Sequence, residues 1–599
     1  MRNFKFYSAA LAGLLTLGAC SSSDDLNGGA SGESKGLTSY LAVNINNVGA
    51  VPTTKATRAE YKDKNENNST YEDGEGIESA ITKVRFYFFN TDGTPYILNS
   101  AGEDVLDQKN NYIDVAMQKN SDDHDHTVET VTQAKLVLNG ESNLAPASML
   151  TVVNPDATGG LLNESAQRFS VLRYETKGST WKNDKGFVMS NSVYQDAGID
   201  ICSTQLAGKL ASSADAATKD PVDVYVERVL AKVTANVNET AKTSDGSSNI
   251  WTKVSEGGQY DGSWRTKVGT LAIAQDEGTS KNYDVYAWVQ GWGVADRNNL
   301  AELYKQIKVG EWTDATLGIK PWNTADYKRC FWSNSCDINN TNPPQNTDYT
   351  SYTRKMGSDA EYVMPNTPTE VVSTPYSSHL TKLLVAVKLG YQDESGNWKP
   401  AEICEYKGQE MLGADQVKKL ILKENERFFI KNGDQYVNMS ADNIEFVTST
   451  SYNDKLKDYQ VVAKLKGVDK LYIISNDALA ANSNSEERAA SYSEMSAEDV
   501  NKLLAQNPIE IRKDGNAYYY TPIKHLGTAG SLGEYGIVRN HSYKVTINSI
   551  KGFGTPVYDP KKVIIPTQPS NDKSYLAAKV NVLAWRVVNS SVDLNTVDK

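Results

Sequence analysis

Few residues of this 599-residue chain have the types and spacings that support chemistry at a site. Residues 122–126 (DDHDH) carry side chains that bind divalent metals, but they lie in an all-polar stretch, where ordering the ligands is costly. A solvated loop is therefore the favoured interpretation. No serine or cysteine lies in a G-x-S-x-G context, and the glycine-rich residues 527–536 lack the lysine of a phosphate-binding loop. We predict no enzyme activity, no metal site and no cofactor.

Cys20 has the clearest chemistry, because it ends a signal-like N-terminus. Basic residues precede an apolar stretch that is too short to span a bilayer as a helix. The run LGAC (residues 17–20) matches a bacterial lipobox, in which the signal is cut between Ala19 and Cys20 and the cysteine then carries acyl chains. Residues 1–19 are therefore predicted to be a lipoprotein signal peptide.

The other cysteines follow an export signal, which makes disulfides possible. Cys330 and Cys336, in CFWSNSC, have a spacing that closes a small loop, but a pair of reduced, buried thiols fits that spacing equally well. Cys202 and Cys404 are predicted to be small buried residues.

Two tryptophans and one histidine remain as candidates for a binding or catalytic role. Trp288 and Trp292, in AWVQGW, suit a sugar-stacking surface, but strand alternation favours core or sheet-covering positions at least as strongly. His541 borders a predicted strand, so we expect a hydrogen-bonding residue at a turn or the edge of the core rather than a general base.

The overall charge excludes one class of partner. The formal net charge is −12, and no cluster of lysine and arginine provides the basic surface that nucleic acid requires. No segment after the signal approaches eighteen consecutive apolar residues, so membrane attachment is expected to come from the lipid.

The elements that must position any site are mainly strands. In residues 37–48 the alternation of Leu41, Val43 and Ile45 predicts a strand with one apolar face. The polar residues 52–76 that follow predict a long exposed loop.

Short runs rich in β-branched and aromatic residues recur after this loop, bounded by Asn, Gly, Pro and Asp, which favours antiparallel sandwiches. The apolar phase changes between Val226 and Val229, which predicts a bulge or a passage from one sheet to the next. Two helices are predicted at residues 414–430 and 496–506, the second with Ser496 as its N-cap.

Three stretches near the C-terminus carry a family resemblance: residues 517–525 (AYYYTPIKH), residues 534–560 and the closing KVNVLAWRVVNSSVDL. They resemble the end of a fimbrillin, and more narrowly the minor-fimbria-type subunits of Bacteroidales type V pili. The run GIVRN (residues 536–540) followed by YKV is the most specific part. The resemblance implies a mainly all-β chain of two tandem β-sandwich domains with transthyretin-like topology and no catalytic activity; the two predicted helices would be small insertions in the second domain.

The resemblance also implies how such a subunit matures. Family members are exported as lipoproteins to the outer membrane, cut there by an arginine-specific protease, and polymerised by donor-strand exchange into a surface fimbria that supports adhesion and biofilm formation. On this sequence, Cys20 would carry the lipid, and the cut would fall between Arg58 and Ala59, with Lys55 as a second basic site. The implied partners are copies of the same chain, anchor and tip subunits, the protease, and the outer membrane until processing.

The terminal segment, about residues 567–599, is predicted to supply the donor strand, since its apolar residues recur at strand spacing. The residues concerned are Val580, Val582, Trp585 and Val587. The predicted division of the chain is a signal peptide at 1–19, a lipidated tether with a removable strand at 20–58, and sandwich domains at 59–227 and 228–599. Two alternatives stay open: a surface glycan-binding lipoprotein that remains anchored and monomeric, and an adhesive tip or accessory subunit.

Overall fold

The computed structural model describes residues 38–47, 71–74, 78, 81–98, 110–116, 132–140, 144–158, 173–175, 186–192, 194–196, 199–255, 260–274, 280–305, 343–448, 451, 453–474, 492–567 and 575–587. Strands dominate these residues, and the helices among them are few and short. The predicted mainly all-β fold class is confirmed. Within this described part of the chain, no helix has the length and apolar character needed to cross a membrane.

The strands before residue 230 are β1 (Thr38–Asn47), β2 (Tyr71–Gly74), β3 (Lys83–Phe89), β4 (Tyr112–Ala116), β5 (Thr132–Asn139), β6 (Ser148–Val153), β7 (Arg173–Glu175), β8 (Met189–Asn191), β9 (Tyr194–Asp196), β10 (Ile199–Ile201), β11 (Thr204–Gln205) and β12 (Val222–Arg228). Those up to residue 412 are β13 (Ala231–Val237), β14 (Thr252–Lys253), β15 (Trp264–Ala274), β16 (Ser280–Ala295), β17 (Leu300–Glu302), β18 (Ala360–Val363), β19 (Lys382–Gln392), β20 (Trp398–Pro400), β21 (Ile403–Tyr406) and β22 (Gln409–Leu412).

The later strands are β23 (Phe428–Asn432), β24 (Gln435–Asn438), β25 (Ile444–Val447), β26 (Val462–Leu465), β27 (Lys470–Ile473), β28 (Ser493–Ser496), β29 (Ile509–Ile511), β30 (Asn516–Pro522), β31 (His541–Lys551), β32 (Thr555–Pro556) and β33 (Tyr575–Val587). The α-helices are α1 (Ala214–Lys219), α2 (Ala414–Glu424) and α3 (Ala497–Leu504). Short 3₁₀ helices lie at Pro155–Thr158, Tyr349–Ser351, Ala441–Asn443, Lys513–Gly515 and Leu532–Glu534.

The first sheet is built from strands before residue 230, in the order β4-β3-β6-β8-β12-β1-β5, with β11 beside β6. Its strands are rich in β-branched and aromatic residues, which suit a pleated and buried surface. Phe86, Leu136 and Val224 are among the side chains that form its core. We call this the N-terminal sheet.

Two later sheets pack against each other to form a sandwich. One has the order β18-β13-β31-β33-β2, and the other has the order β14-β15-β16-β19-β30-β32 with β20 beside β19. Alternate residues of both sheets meet in one core, which includes Val233 and Val545 from the first sheet and Val285 and Val385 from the second. We call the first of these the five-stranded sheet.

A third core lies in the chain between β20 and β30. It contains α2, α3 and the strands β21 to β29, and its apolar residues include Val417, Ile421 and Val500 from the two helices. The helices are thus small insertions in the C-terminal part, as predicted.

The boundaries of the two predicted helices have different outcomes. Ser496 is the N-cap of α3, as predicted, and its Oγ accepts a hydrogen bond of 3.1 Å from the Asp499 N–H. The prediction that the other helix extends to residue 430 is wrong, because α2 ends at Glu424 and Phe428 begins a strand that pairs with β27. Aromatic residues after the helix fit a sheet better than another helical turn.

The change of apolar phase near residue 228 separates two sheets. Val222, Val224 and Val226 belong to β12 in the N-terminal sheet, whereas Ala231 begins β13 in the five-stranded sheet. Of the two predicted alternatives, the structure has the passage between sheets.

The two candidate tryptophans are both buried. Trp292 is fully enclosed in the sandwich core, and its indole N–H donates to the Lys355 carbonyl over 3.1 Å. Trp288 is 5% exposed and packs edge to face against Trp398, with 4.6 Å between the ring centroids. The core interpretation therefore applies, and these two rings do not form an exposed sugar-stacking surface.

A fully buried ion pair joins the ends of β16 and β19. The Lys382 ammonium donates to the Asp296 carboxylate and also to the Ser377 and Leu380 carbonyls, at 2.7 and 3.3 Å. Asn346 fixes Asp296 by two further hydrogen bonds of 2.7 Å, which hold its backbone at a φ of 49°. Burial raises the pKa of Asp296, although the charge of Lys382 opposes this, and burial lowers the pKa of Lys382.

Removing one partner of this pair should be more damaging than replacing both. We expect Lys382→Met to lower the free energy of unfolding by about 3 to 5 kcal/mol, because the Asp296 carboxylate is left buried without a cation. The double variant Lys382→Met with Asp296→Asn should recover much of this loss, since asparagine tolerates a positive φ and keeps a partner in Asn346. Calorimetric unfolding of the three proteins measures the difference.

The matched control is Lys281→Met, which breaks an exposed pair with Glu394 and should leave the unfolding transition unchanged. Equal losses in the single and double variants would show that the buried charge is not the source of the effect.

Candidate functional site

β1 lies inside the N-terminal sheet and has strand neighbours on both sides. It runs antiparallel to β5, with Thr38 opposite Asn139 at one end. It runs parallel to β12, with Val43 opposite Val222. Among the described strands, β5 pairs with no strand other than β1, so removing β1 would leave β5 without a partner and open a gap beside β12. We call this position between β5 and β12 the strand slot.

Both faces of β1 are covered. Leu41 and Val43 contact the N-terminal core and are 1% and 0% exposed. Ala42, on the opposite face, is also buried, and α1 packs against β1. The Tyr40 N–H and C=O each form a 2.9 Å hydrogen bond with the backbone of Ala211. The sequence predicted one apolar face, and the second is buried because α1 and the chain before it, which are distant in sequence, fold over it.

The predicted donor strand is β33, and it lies in the chain's own five-stranded sheet. It pairs antiparallel with β31, with Tyr575 opposite Lys551 and Ala584 opposite His541. Leu576 and Ala578 pack against the sandwich core.

The pairings of β33 with its two neighbouring strands place all four predicted donor residues. Val580 and Val582 lie opposite Val545 and Tyr543 of β31. Trp585 and Val587 lie beyond that ladder and pair instead with Glu72 and Gly74 of β2, which runs parallel to β33.

Several predicted site residues lie outside the described part of the chain: Ala19, Cys20, Lys55, Arg58, Ala59, Cys330 and Cys336, and the acidic run at 122–126. Cys202 and Cys404 are buried, as predicted. In the ranges that the structure describes, no group of three or more His, Cys, Asp and Glu side chains is arranged to hold a metal ion.

A buried charge cluster joins the N-terminal sheet to the rest of the chain. The Glu227 carboxylate, at the end of β12, lies 2.8 Å from Arg539 Nε and 3.1 Å from Lys305 Nζ. Ser192 donates to the same carboxylate over 3.1 Å, and Arg539 Nη2 donates to Ser190 Oγ over 2.6 Å. We call these five residues the junction cluster.

The electrostatics of the junction cluster keep its charges paired. Burial alone would raise the pKa of Glu227, but the charges of Lys305 and Arg539 outweigh burial and lower it. Burial lowers the pKa of Arg539, and the Glu227 charge limits that effect. This role of Glu227 was not predicted, although the sequence carries a signal for it: Glu227 is a charged residue where the apolar phase of the strand changes.

Two buried histidines lie next to the junction cluster. His541 Nδ1 is 2.7 Å from the Arg539 carbonyl, and burial lowers the pKa of His541 to about 4. His525 Nδ1 is 3.0 Å from the Tyr543 hydroxyl, and burial together with His541 lowers the pKa of His525 well below its ordinary value. His541 is thus a hydrogen-bonding residue at the start of a strand, as predicted.

Comparison with known proteins gives one family match. Residues 512–590 match the model described as major fimbrial subunit protein type IV, fimbrillin, C-terminal. This range contains β30 to β33, Arg539 and His541. The predicted resemblance to fimbrillins is confirmed there. No curated protein sequence matches the chain.

Solved structures of fimbrial proteins align along most of the chain at low similarity. A fimbrillin, FimA, from Porphyromonas gingivalis W83 is 11% identical, with a TM-score of 0.31, and the alignment covers 87% of this chain and 96% of that one. The tip fimbrial protein Mfa3 from Porphyromonas gingivalis is 10% identical, with a TM-score of 0.26, covering 92% of this chain and 100% of that one. The resemblance to fimbrillins therefore rests on residues 512–590.

The buried His541 should make the protein less stable in acid. Its folded pKa of about 4 lies below the unfolded value of 6.5, so protonation favours the unfolded chain, and stability is lost as the pH falls from 6.5 towards 4. The shift corresponds to about 3 kcal/mol. We expect His541→Gln to reduce the pH dependence of the free energy of unfolding by a large part of that amount, measured by urea unfolding between pH 4 and 7.

His379→Gln is the control, because His379 is exposed. It should retain the wild-type pH dependence. A His541→Gln profile that superimposes on the wild-type profile would contradict the assignment.

Proposed function

Because residues 512–590 belong to the fimbrillin C-terminal family, we propose that this chain is a structural subunit of a cell-surface fimbria, of the lipoprotein-derived, minor-fimbria-type class. The observation that carries the proposal is the strand slot: the N-terminal sheet is completed by β1, a strand that precedes the rest of the folded chain and belongs to the predicted removable segment. A subunit that loses β1 needs an equivalent strand from another molecule.

Maturation begins at Cys20. In this proposal the signal is cut between Ala19 and Cys20, and the acylated cysteine anchors the precursor in the outer membrane. An arginine-specific protease then cuts between Arg58 and Ala59. This bond lies after β1 and before every other described strand, so one cut separates both the lipid and β1 from the remainder of the chain.

The cut is needed because a tethered strand resists displacement. While β1 is covalently attached, its effective concentration at the strand slot is on the order of millimolar or higher. Burial of Leu41 and Val43 contributes about 1.5 to 3 kcal/mol each, in addition to the two backbone ladders. A strand from another subunit cannot compete with β1 until the covalent link is broken.

The terminal strand β33 has a sequence suited to the vacated slot. Val580-Asn581-Val582 repeats the pattern of Val43-Asn44-Ile45 in β1. Aligning these triplets places Val580 at the position of Val43, which faces the N-terminal core. We therefore assign this register to the exchange, with β33 running in the direction of β1, parallel to β12.

These features favour a stalk subunit, since a stalk subunit both accepts and donates a strand. Its partners are copies of itself, together with the anchor and tip subunits at the two ends of the filament. The subunit is lipid-anchored at the outer membrane before the cut and part of an extracellular filament, supporting adhesion and biofilm formation, after it.

Polymerisation should require the cut at Arg58. We expect Arg58→Ala combined with Lys55→Ala to accumulate as a lipid-anchored monomer, because β1 stays tethered in the strand slot. Wild-type precursor treated with an arginine-specific protease should begin at Ala59 and form a ladder that resists detergent until it is heated. N-terminal sequencing and an unheated detergent gel provide the measurements. Filaments on cells that carry the double variant would refute the gating role of β1.

A peptide of residues 575–594 should cap the strand slot. Added in excess during protease treatment, it is expected to shorten the ladder, because it occupies the position into which β33 of the next subunit inserts. The peptide with Val580→Asn and Val582→Asn should be at least about tenfold weaker, since it buries amides among apolar side chains. The gel ladder and mass spectrometry of the capped monomer measure binding.

The matched control is the same peptide with Ser590→Asn and Ser591→Asn, which in this register lie beyond the last residue of β1 and should leave capping at the wild-type level. Equal capping by the asparagine variant would show that Val580 and Val582 do not enter the N-terminal core.

A further inference from the structure

β2 was expected to be part of an exposed loop, and it is instead a strand at the edge of the five-stranded sheet. Its sequence, YEDG, has no apolar alternation that would have predicted a strand. Its one strand neighbour in the described part of the chain is the end of β33, where Tyr71 lies opposite Ala584 and Gly74 opposite Val587.

This contact extends β33 beyond its pairing with β31. The β31 ladder ends at Ala584, so Trp585, Arg586 and Val587 have β2 as their only strand neighbour among the described residues. The last part of β33 is therefore held in its own sheet by β2.

Glu78 anchors the chain immediately after β2. Its carbonyl accepts a 2.7 Å hydrogen bond from Arg228 Nε, and its carboxylate lies 3.0 Å from Lys232 Nζ. Tyr362 donates a hydrogen bond of 2.5 Å to the same carboxylate. Glu78 is 4% exposed, so the anchor is built into the protein interior.

β1 is the strand that precedes β2 among the described strands. Residues 48–70 connect the two strands, and this connection contains Arg58. In the uncut chain β2 is therefore held at both ends, by β1 in the strand slot and by Glu78. After a cut at Arg58 it becomes a strand of four residues near a free terminus, and such strands fray readily.

We propose that β2 is a latch on the terminal strand: it retains the end of β33 in the subunit's own sheet until the chain between β1 and β2 is cut. This inference rests on the proposed strand exchange. It adds that the cut that empties the strand slot also loosens the strand that fills the slot of the next subunit. An uncut precursor is then unable either to accept or to donate.

The test uses the full-length precursor and its protease-treated form. Glu72→Pro with Asp73→Pro removes backbone donors from β2, and Glu72→Ala with Asp73→Ala keeps them as the matched control. We expect the proline variant, compared with the alanine variant, to show faster amide hydrogen exchange at residues 584–587 in the uncut monomer. The difference in exchange rate should be about tenfold, as expected for the loss of one or two backbone hydrogen bonds, and it should largely disappear after the cut, because the cut itself lets β2 fray.

A reversible disulfide between β2 and β33 tests the latch without the risk that a proline variant fails to fold. Asp73→Cys with Arg586→Cys places two cysteines at paired positions of β2 and β33. Under oxidising conditions the cut variant should begin at Ala59 and yet form no ladder, and reductant should restore the wild-type ladder. The oxidised subunit should still bind the 575–594 peptide, because its strand slot is empty.

The outcomes separate the two ideas. Wild-type ladders together with equal exchange at residues 584–587 in the uncut proline and alanine variants would overturn the latch and leave the proposed function intact. A ladder from the oxidised disulfide variant would show that β33 is not the donor strand, and would overturn both the proposed exchange and the latch. Failure of cut wild-type protein to form a ladder or to bind the peptide would overturn the proposed function, and the latch with it.

Discussion

An interior strand of a sheet cannot be left vacant, and this constraint governs the whole molecule. β1 satisfies backbone groups of β5 on one side and of β12 on the other, and places Leu41 and Val43 in the N-terminal core. Without β1, two rows of buried backbone donors and acceptors would lose their partners. Leaving a buried polar group unpaired costs more free energy than an average hydrogen bond contributes to stability. The N-terminal sheet therefore always requires a strand in this position. What can change, and so serve a function, is which strand fills it.

The junction cluster holds β31 in place by contacts that do not depend on the terminal strand. β31 is the main partner of β33, but it is also fixed from its other side by a parallel ladder with β13 and, at its start, by Arg539 against Glu227. The Asn540 N–H adds a 2.9 Å hydrogen bond to the Leu230 carbonyl. Because these contacts do not involve β33, the five-stranded sheet would keep its central pair and its attachment to the N-terminal sheet if the terminal strand left as proposed.

Local patterns in the sequence predicted much of this architecture, but long-range pairing was beyond them. Alternation identified the mainly all-β fold and the strand at Leu41, and the phase change after Val226 marked the passage between sheets. No pattern identifies β5 and β12 as the neighbours of β1, because a strand's partners depend on segments distant in the chain. β2 was missed because its YEDG sequence has no alternation of apolar and polar residues, and the burial of Glu227 was missed because its cations, Lys305 and Arg539, are far away in sequence.

In the proposed exchange, the free-energy balance requires that β33 bind only weakly in its own five-stranded sheet. Moving it into a neighbour's slot releases β1, so its binding there must exceed both the binding of β1 in the slot and its own pairing with β31. β33 is a 13-residue strand and β1 a 10-residue strand, so the slot gains from the longer strand, which would be paired on both sides. In its own five-stranded sheet, β33 is paired on both sides only near Ala584, where β2 meets it. Along the rest of the β31 ladder it is paired on one side. Loosening β2 therefore weakens the binding of β33 to its own sheet near Ala584, where that binding is strongest. Loss of the cut, lipid-bound β1 from the subunit then makes the exchange irreversible.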